Sequence, residues 1–246
     1  MLTTDLLFII PVLVFVAALV QGTVGFGFAL AALPALTFVM DVKAASAMVA
    51  LCALLLATVM LVQNRRHIDF NEAAGLIGAA VLGVPFGVLL LARAPEDIVL
   101  TLLGVVIASF SVYALVQPKP PQIQDRRWRY ACGFVGGVLG GAYNTSGPPI
   151  VLYSAMRSWP PAKFVAITQA FFATTYLMVV VSHGVGGLWT RGVIVGFLIS
   201  IPSLVAATLI GKRIAQAAPV KFLSKAVYVL LLILGGLLIL TNAVLR

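Results

Sequence analysis

Apolar residues run along this chain in blocks about as long as a bilayer is thick, and polar residues gather between the blocks. Continuous apolar stretches fall near 44–62, 73–92, 98–116, 164–183, 193–211 and 226–245. Each comes close to the roughly 20 residues that one helical crossing needs. Two more stretches, near 6–39 and 129–156, are interrupted from within. The first interruption reads Gln21-Gly22-Thr23-Val24-Gly25-Phe26-Gly27, and the second runs from Gly136 through Gly140-Gly141-Ala142-Tyr143-Asn144-Thr145-Ser146-Gly147-Pro148 to Pro149. As one helix, residues 6–39 would measure roughly 51 Å against a hydrocarbon core of about 30 Å, so two short arms meeting at Gly22–Gly27 are expected. Irregular backbone at membrane depth is tolerated only where protein covers it or where it lines a polar cavity. When it recurs at matching places in two halves it marks the substrate site of a transporter.

The halves do match. A shift of 115 lays Gly22, Gly25 and Pro34 on Gly137, Gly140 and Pro149; a shift of 120 lays Lys43 on Lys163; a shift of 124 lays Pro95 on Pro219. Their common order argues for duplication. Orientation follows from the 16 Lys and Arg. If 129–156 crosses once, the cations divide evenly between the two sides. If it enters and returns, Arg65, Arg66, Lys119, Arg126, Arg127, Arg129, Arg157, Lys163, Lys212, Arg213, Lys221 and Lys225 share one face against Lys43, Arg93, Arg191 and Arg246, a clear positive-inside signal. The expected fold is therefore an all-α polytopic membrane protein made of two homologous halves in inverted repeat. Residues 1–116 and 129–246 form the halves, and 117–128 form a cytoplasmic linker. Each half holds one broken or re-entrant helix pair and three transmembrane helices, eight to ten membrane segments in all, with both termini periplasmic.

Composition agrees. Hydrophobic residues make up 62% and charged residues 9%, and mean hydropathy is +1.13, far from a soluble domain. A cleaved leader is not expected, because Asp5 stands where a basic region belongs. The net charge of +9 is accounted for by cations between spans, so no nucleic-acid partner is implied; the lipid bilayer is the partner. Cys52 and Cys132 lie in apolar segments without a CxxC pair and read as packing residues. The acids, Asp5, Asp41, Asp69, Glu72, Glu96, Asp97 and Asp125, all fall at termini or in connections. None sits deep in a span where a proton relay would use it. A proton-coupled cycle would need an interfacial acid, His183, or protonation of the substrate; facilitated diffusion is equally compatible. Sparse acids and two histidines leave neither metal nor acid–base chemistry, so the reading is a non-enzyme with no cofactor, metal site or catalytic residue.

The breaks carry the chemistry. A glycine-rich tip leaves backbone N–H groups without helical partners, and the helix that follows points its positive end there, making an anion site without a buried cation. Asn144, Thr145 and Ser146 add side-chain donors, with Gly147 and Pro148 opening the next helix. Gln21, Gly22, Thr23, Gly25 and Gly27 are the counterparts in the first half. The alternative for Gly133, Gly136, Gly137, Gly140 and Gly141 is close helix packing of the GxxxG kind. Lys43, Arg157 and Lys163 are placed to draw an anion inward or to anchor at the interface. Tyr153, Thr168, Gln169, Thr174, Thr175 and Tyr176 line a pathway or bond between helices.

On these residues the chain resembles a known family. Gly22-Thr23-Val24-Gly25-Phe26-Gly27, the midpoint linker, and Gly140-Gly141 through Asn144 to Gly147-Pro148-Pro149-Ile150-Val151-Leu152-Tyr153 look like the sulfite exporter TauE/SafE family of bacterial membrane permeases. The resemblance covers essentially the whole chain. It implies a multi-pass protein of the cell inner membrane that moves small sulfur-containing or organic anions, such as sulfite or organosulfonates. From the two breaks, a secondary transporter with alternating access around them is expected. An anion channel of the same fold, and less readily an integral-membrane enzyme, are the alternatives. A homodimer is compatible with the sequence.

Overall fold

The computed structural model describes residues 4–116, 121–123, 125–217 and 220–241. Lys119 and Arg246, which entered the charge argument, lie outside them. Among the described residues the chain forms helices α1 (Thr4–Val24), α2 (Phe28–Leu36), α3 (Val42–Asn64), α4 (Phe70–Arg93), α5 (Glu96–Val116), α6 (Trp128–Tyr143), α7 (Gly147–Met156), α8 (Pro161–Val185), α9 (Arg191–Ala217) and α10 (Val220–Ile239), with a 3-10 turn at Arg65–His67 and no strand. Five of the expected crossings, α3 with its 3-10 turn, α4, α5, α8 and α9, are long and apolar enough to span a membrane; the expected sixth corresponds to α10. The protein is a multi-pass membrane protein.

Both interrupted stretches break where expected, giving α1–α2 and α6–α7. The arms are not equally short. α1 has 21 residues, about 32 Å of helix and enough to cross, whereas α2 has 9. The reason is where the turn falls. Gly22 stays helical, and the chain turns only at Gly25 and Gly27, whose φ of 88° and 102° is open to glycine and costly for other residues.

The helices gather into two compact units, each taking segments from both halves of the sequence. One holds the residues up to Cys52, Ala94 to the linker, and Gly187 onward; the other holds Ala53–Arg93 and the linker through Gly186.

In the first unit α1 packs on α9, α5 packs on α10, and α2 lies against α1 and α10. The contacts are close because glycines face each other. A Cβ on Gly211 would stand 2.9 Å from the Gly22 backbone, and one on Gly104 would stand 2.8 Å from the Gly235 carbonyl oxygen. Phe26, inside the first break, meets Phe110 of α5 and Tyr228 of α10 at ring distances of 6.0 and 6.5 Å.

In the second unit α4 packs on α6, and α8 lies against α4, α6 and α7. α6 carries two glycine faces. Gly133, Gly137 and Gly141 sit on the α4 backbone at Leu76, Ala80 and Val84, while Gly136 and Gly140 face Phe171 and Ser146. The GxxxG spacing thus serves packing on both sides. Polarity is inverted relative to a water-soluble fold, with Gln169 and Thr175 fully buried while Phe86 is 62% and Val185 is 88% exposed, as expected of a surface facing lipid.

Candidate functional site

The second break is built by the way α6 ends and α7 begins. Asn144 adopts the left-handed conformation at φ 56°, which asparagine tolerates better than most residues. Its N–H donates to the Gly140 carbonyl at 2.9 Å and the Thr145 N–H to the Leu139 carbonyl at 3.2 Å, closing the helix. The chain then re-enters helix at Gly147, with Pro148 and Pro149 in the first turn, where a missing N–H strands nothing. No other backbone group pairs with the amides of Ser146 and Gly147 among the described residues. The positive end of α7 therefore opens onto the break.

Its depth can be read from α8. The Tyr176 hydroxyl donates to the Asn144 carbonyl at 3.0 Å. Tyr176 lies about 22 Å from the start of α8 and about 14 Å from its end. The irregular backbone is thus well inside a hydrocarbon core of about 30 Å.

The side chains there are buried and hydroxyl-rich. Tyr143, Asn144, Thr145 and Ser146 are at most 2% exposed. The hydroxyls of Tyr143, Thr145 and Ser146 meet no hydrogen-bond partner among the described residues, and neither does that of Thr168, which lies on α8 about 12 Å along the helix from Tyr176. The Ser146 hydroxyl lies over Gly140, filling the place of a Cβ. A buried hydroxyl without a partner costs roughly 1–3 kcal/mol, and three such hydroxyls stand within four consecutive residues here. Hydroxyls, free amides and a helix N-terminus suit the oxygens of a small anion.

The first break differs. The Gln21 side-chain oxygen accepts the Phe28 N–H at 3.2 Å, capping α2, and the Thr23 hydroxyl turns back to the Val20 carbonyl at 2.8 Å. Gly22 packs against Thr208 and Gly211 of α9, and the Gly25 N–H donates to the Gln21 carbonyl at 2.8 Å. Gln21 and Thr23 thus have local partners that the Thr145 and Ser146 hydroxyls lack.

Of the pathway candidates, Gln169 is fully buried in α8 and Lys43 is exposed at the start of α3. Tyr153, Arg157 and Lys163 converge at one end of the second unit, drawn there by acids. The Tyr153 hydroxyl donates to Glu72 at 2.8 Å. Arg157 lies 3.3 Å and Arg126 3.9 Å from the same carboxylate, and Lys163 donates to Asp69 at 2.7 Å. Arg129 donates to Asn71 at 3.1 Å. Arg129 opens α6 and Arg157 follows α7, yet both meet the first turn of α4, so the α6–α7 pair runs out and back.

The Lys163 hydrogen bond holds the Asp69 carboxyl below its ordinary range; desolvation, next in size, opposes it, and the Glu72 and Asn71 amides add smaller effects that lower it further. Glu72 is only 2% exposed, although its place in the sequence is that of an acid in a connection. The signal was its register: Glu72, Leu76, Ala79 and Gly83 follow one helical face, and that face is buried.

Residues 10–238, nearly the whole chain, match the family Sulfite exporter TauE/SafE. The chain is also 28% identical, over 177 residues, to a Cupriavidus necator protein named "Probable sulfite/organosulfonate exporter TauE"; the match covers 70% of this chain and 69% of that protein. No solved structure matches it. Its helices, its two broken pairs and this match place the chain in the sulfite exporter TauE/SafE family of membrane transporters.

Proposed function

We propose that this chain is a secondary transporter of small oxyanions, sulfite or organosulfonates among them, in the bacterial inner membrane. The anion is held at the α6–α7 break by the Thr145 and Ser146 hydroxyls, with Asn144 beside them, and by the Ser146 and Gly147 amides. Tyr143 supplies a further donor. One observation carries this reading: several buried hydroxyls without partners stand at a helix N-terminus at membrane depth. The α1–α2 break, with Gln21, Gly22, Thr23, Gly25 and Gly27, is its repeat counterpart and completes an inverted pair of five-helix halves. Alternating access moves the anion as surrounding helices rock. The Cupriavidus relative, whose printed name includes sulfite and organosulfonates, supports the substrate class.

Vesicles reconstituted with the purified protein test this reading. Sulfite uptake should saturate and show counterflow, and Ser146→Ala should lower apparent affinity about tenfold, since a hydrogen bond to a charged group contributes about 1.5–3 kcal/mol. Flux that never saturates, with no counterflow, would replace the transporter with a channel.

A further inference from the structure

Burying a carboxylate at the end of a membrane helix is costly, yet Glu72 is 2% exposed. Its donors would serve any oxyanion equally well. The Tyr153 hydroxyl meets Oε2 at 2.8 Å, and Arg157 Nη2 and Arg126 Nε stand 3.3 and 3.9 Å from Oε1. A guanidinium edge beside a phenol hydroxyl recognises sulfonate and carboxylate groups through charge-assisted hydrogen bonds. Those donors belong to α7, the residue after it, and the linker, whereas Glu72 belongs to α4. Linker and return arm are stitched together independently of Glu72: Arg157 also donates to the Ile123 carbonyl at 3.1 Å, and the Ile123 N–H donates to the Met156 carbonyl at 3.1 Å. α7 is about 15 Å long, with the break at its start and these donors at its end.

We infer that Tyr153, Arg157 and Arg126 form a second anion site, and that the Glu72 carboxylate fills it here as a tethered stand-in for the transported anion. The inference rests on the transport reading above. An oxyanion that leaves the break along α7 meets Tyr153 and Arg157 next, displaces Glu72 and moves on, and the carboxylate returns behind it. Throughout the exchange the guanidinium keeps a counter-charge, so no bare cation is left in an apolar setting. A tethered competitor acts at high effective concentration and weakens the apparent binding of free anion there.

Calorimetric titration of the full-length protein with sulfite tests this. Glu72→Gln should expose a second class of site at least tenfold tighter than any second site of the unsubstituted protein, and Glu72→Gln with Arg157→Gln should lose it. Glu72→Gln with Ser146→Ala should keep the second class while losing the first. An unchanged isotherm for Glu72→Gln, or a second class that persists without Arg157, overturns the inference. Glu72→Gln leaves Arg157 without its carboxylate, so melting is measured with and without sulfite. A lowered melting temperature that sulfite restores supports the stand-in role; a variant that misfolds in both conditions, or melts identically in both, overturns it. If Ser146→Ala changes nothing while the Arg157-dependent site appears, the break reading fails and this one stands.

Discussion

Asp69 and Glu72 sit three residues apart and do different work. Asp69 accepts the Asn71 and Glu72 amides at 3.2 and 3.3 Å, capping α4 as an acid at a helix start does, and takes Lys163 on its other oxygen. Its carboxyl is held below the ordinary range, so the pair stabilises above the unfolded carboxyl's titration and is lost as pH falls through the folded value. Lys163→Met should cost about 0.5 kcal/mol near neutral pH, in keeping with a partly exposed ion pair. Melting curves of variant and parent should converge in acid, and a difference that persists there would assign the loss to the Trp159–Lys163 stacking instead. Residue-level legibility followed polarity. Asn144–Ser146 stood out because polar residues interrupt an apolar run. Glu72 did not, because an acid near a helix start resembles any capping acid until its partners, some 80 residues away in sequence, are brought to it.

At the scale of helices, small residues set how closely α4 and α6 approach. A Cβ on Gly137 would stand 2.6 Å from the Ala80 carbonyl oxygen, whereas one on Gly78, on the outer side of α4, would meet nothing within 4 Å. Gly137→Ala should therefore destabilise by about 2 kcal/mol, as overpacking does, while Gly78→Ala should leave stability unchanged or raise it by up to about 1 kcal/mol. Thermal melts of both variants in detergent check the contrast; equal effects would mean that α6 is not held where these contacts put it. The breaks were legible because glycine and proline punctuate an apolar run. The unequal arms of the first pair were not, since the sequence offers several glycines and only packing on α9 decides that Gly22 stays helical while Gly25 and Gly27 turn.

For the whole molecule, the pairing of helices repeats. α1 pairs with α9, α6 with α4, and α5 with α10, a pattern that maps onto itself when the first five helices exchange with the last five. The pattern is that of two related halves; on the inverted topology proposed above, residues 121–123, 125–129, 157–163 and the 3-10 turn at Arg65–His67 lie on the cytoplasmic side. In a background lacking Cys52 and Cys132, single cysteines at Gln122 and Thr190 should react with an impermeant thiol reagent from opposite faces of the membrane; labelling from one face would break the topology. The five long crossings were legible from the length of their apolar runs. The gathering of helices from both halves into each compact unit was not, because apolar faces in a membrane carry little of the periodicity that announces partners in water.

Binding of radiolabelled sulfite to the purified protein tests the central claim most directly, comparing the parent with a Thr145→Ala and Ser146→Ala double variant of unchanged melting temperature. The account predicts saturable binding that weakens at least tenfold in the variant. Equal binding in the two proteins would contradict it.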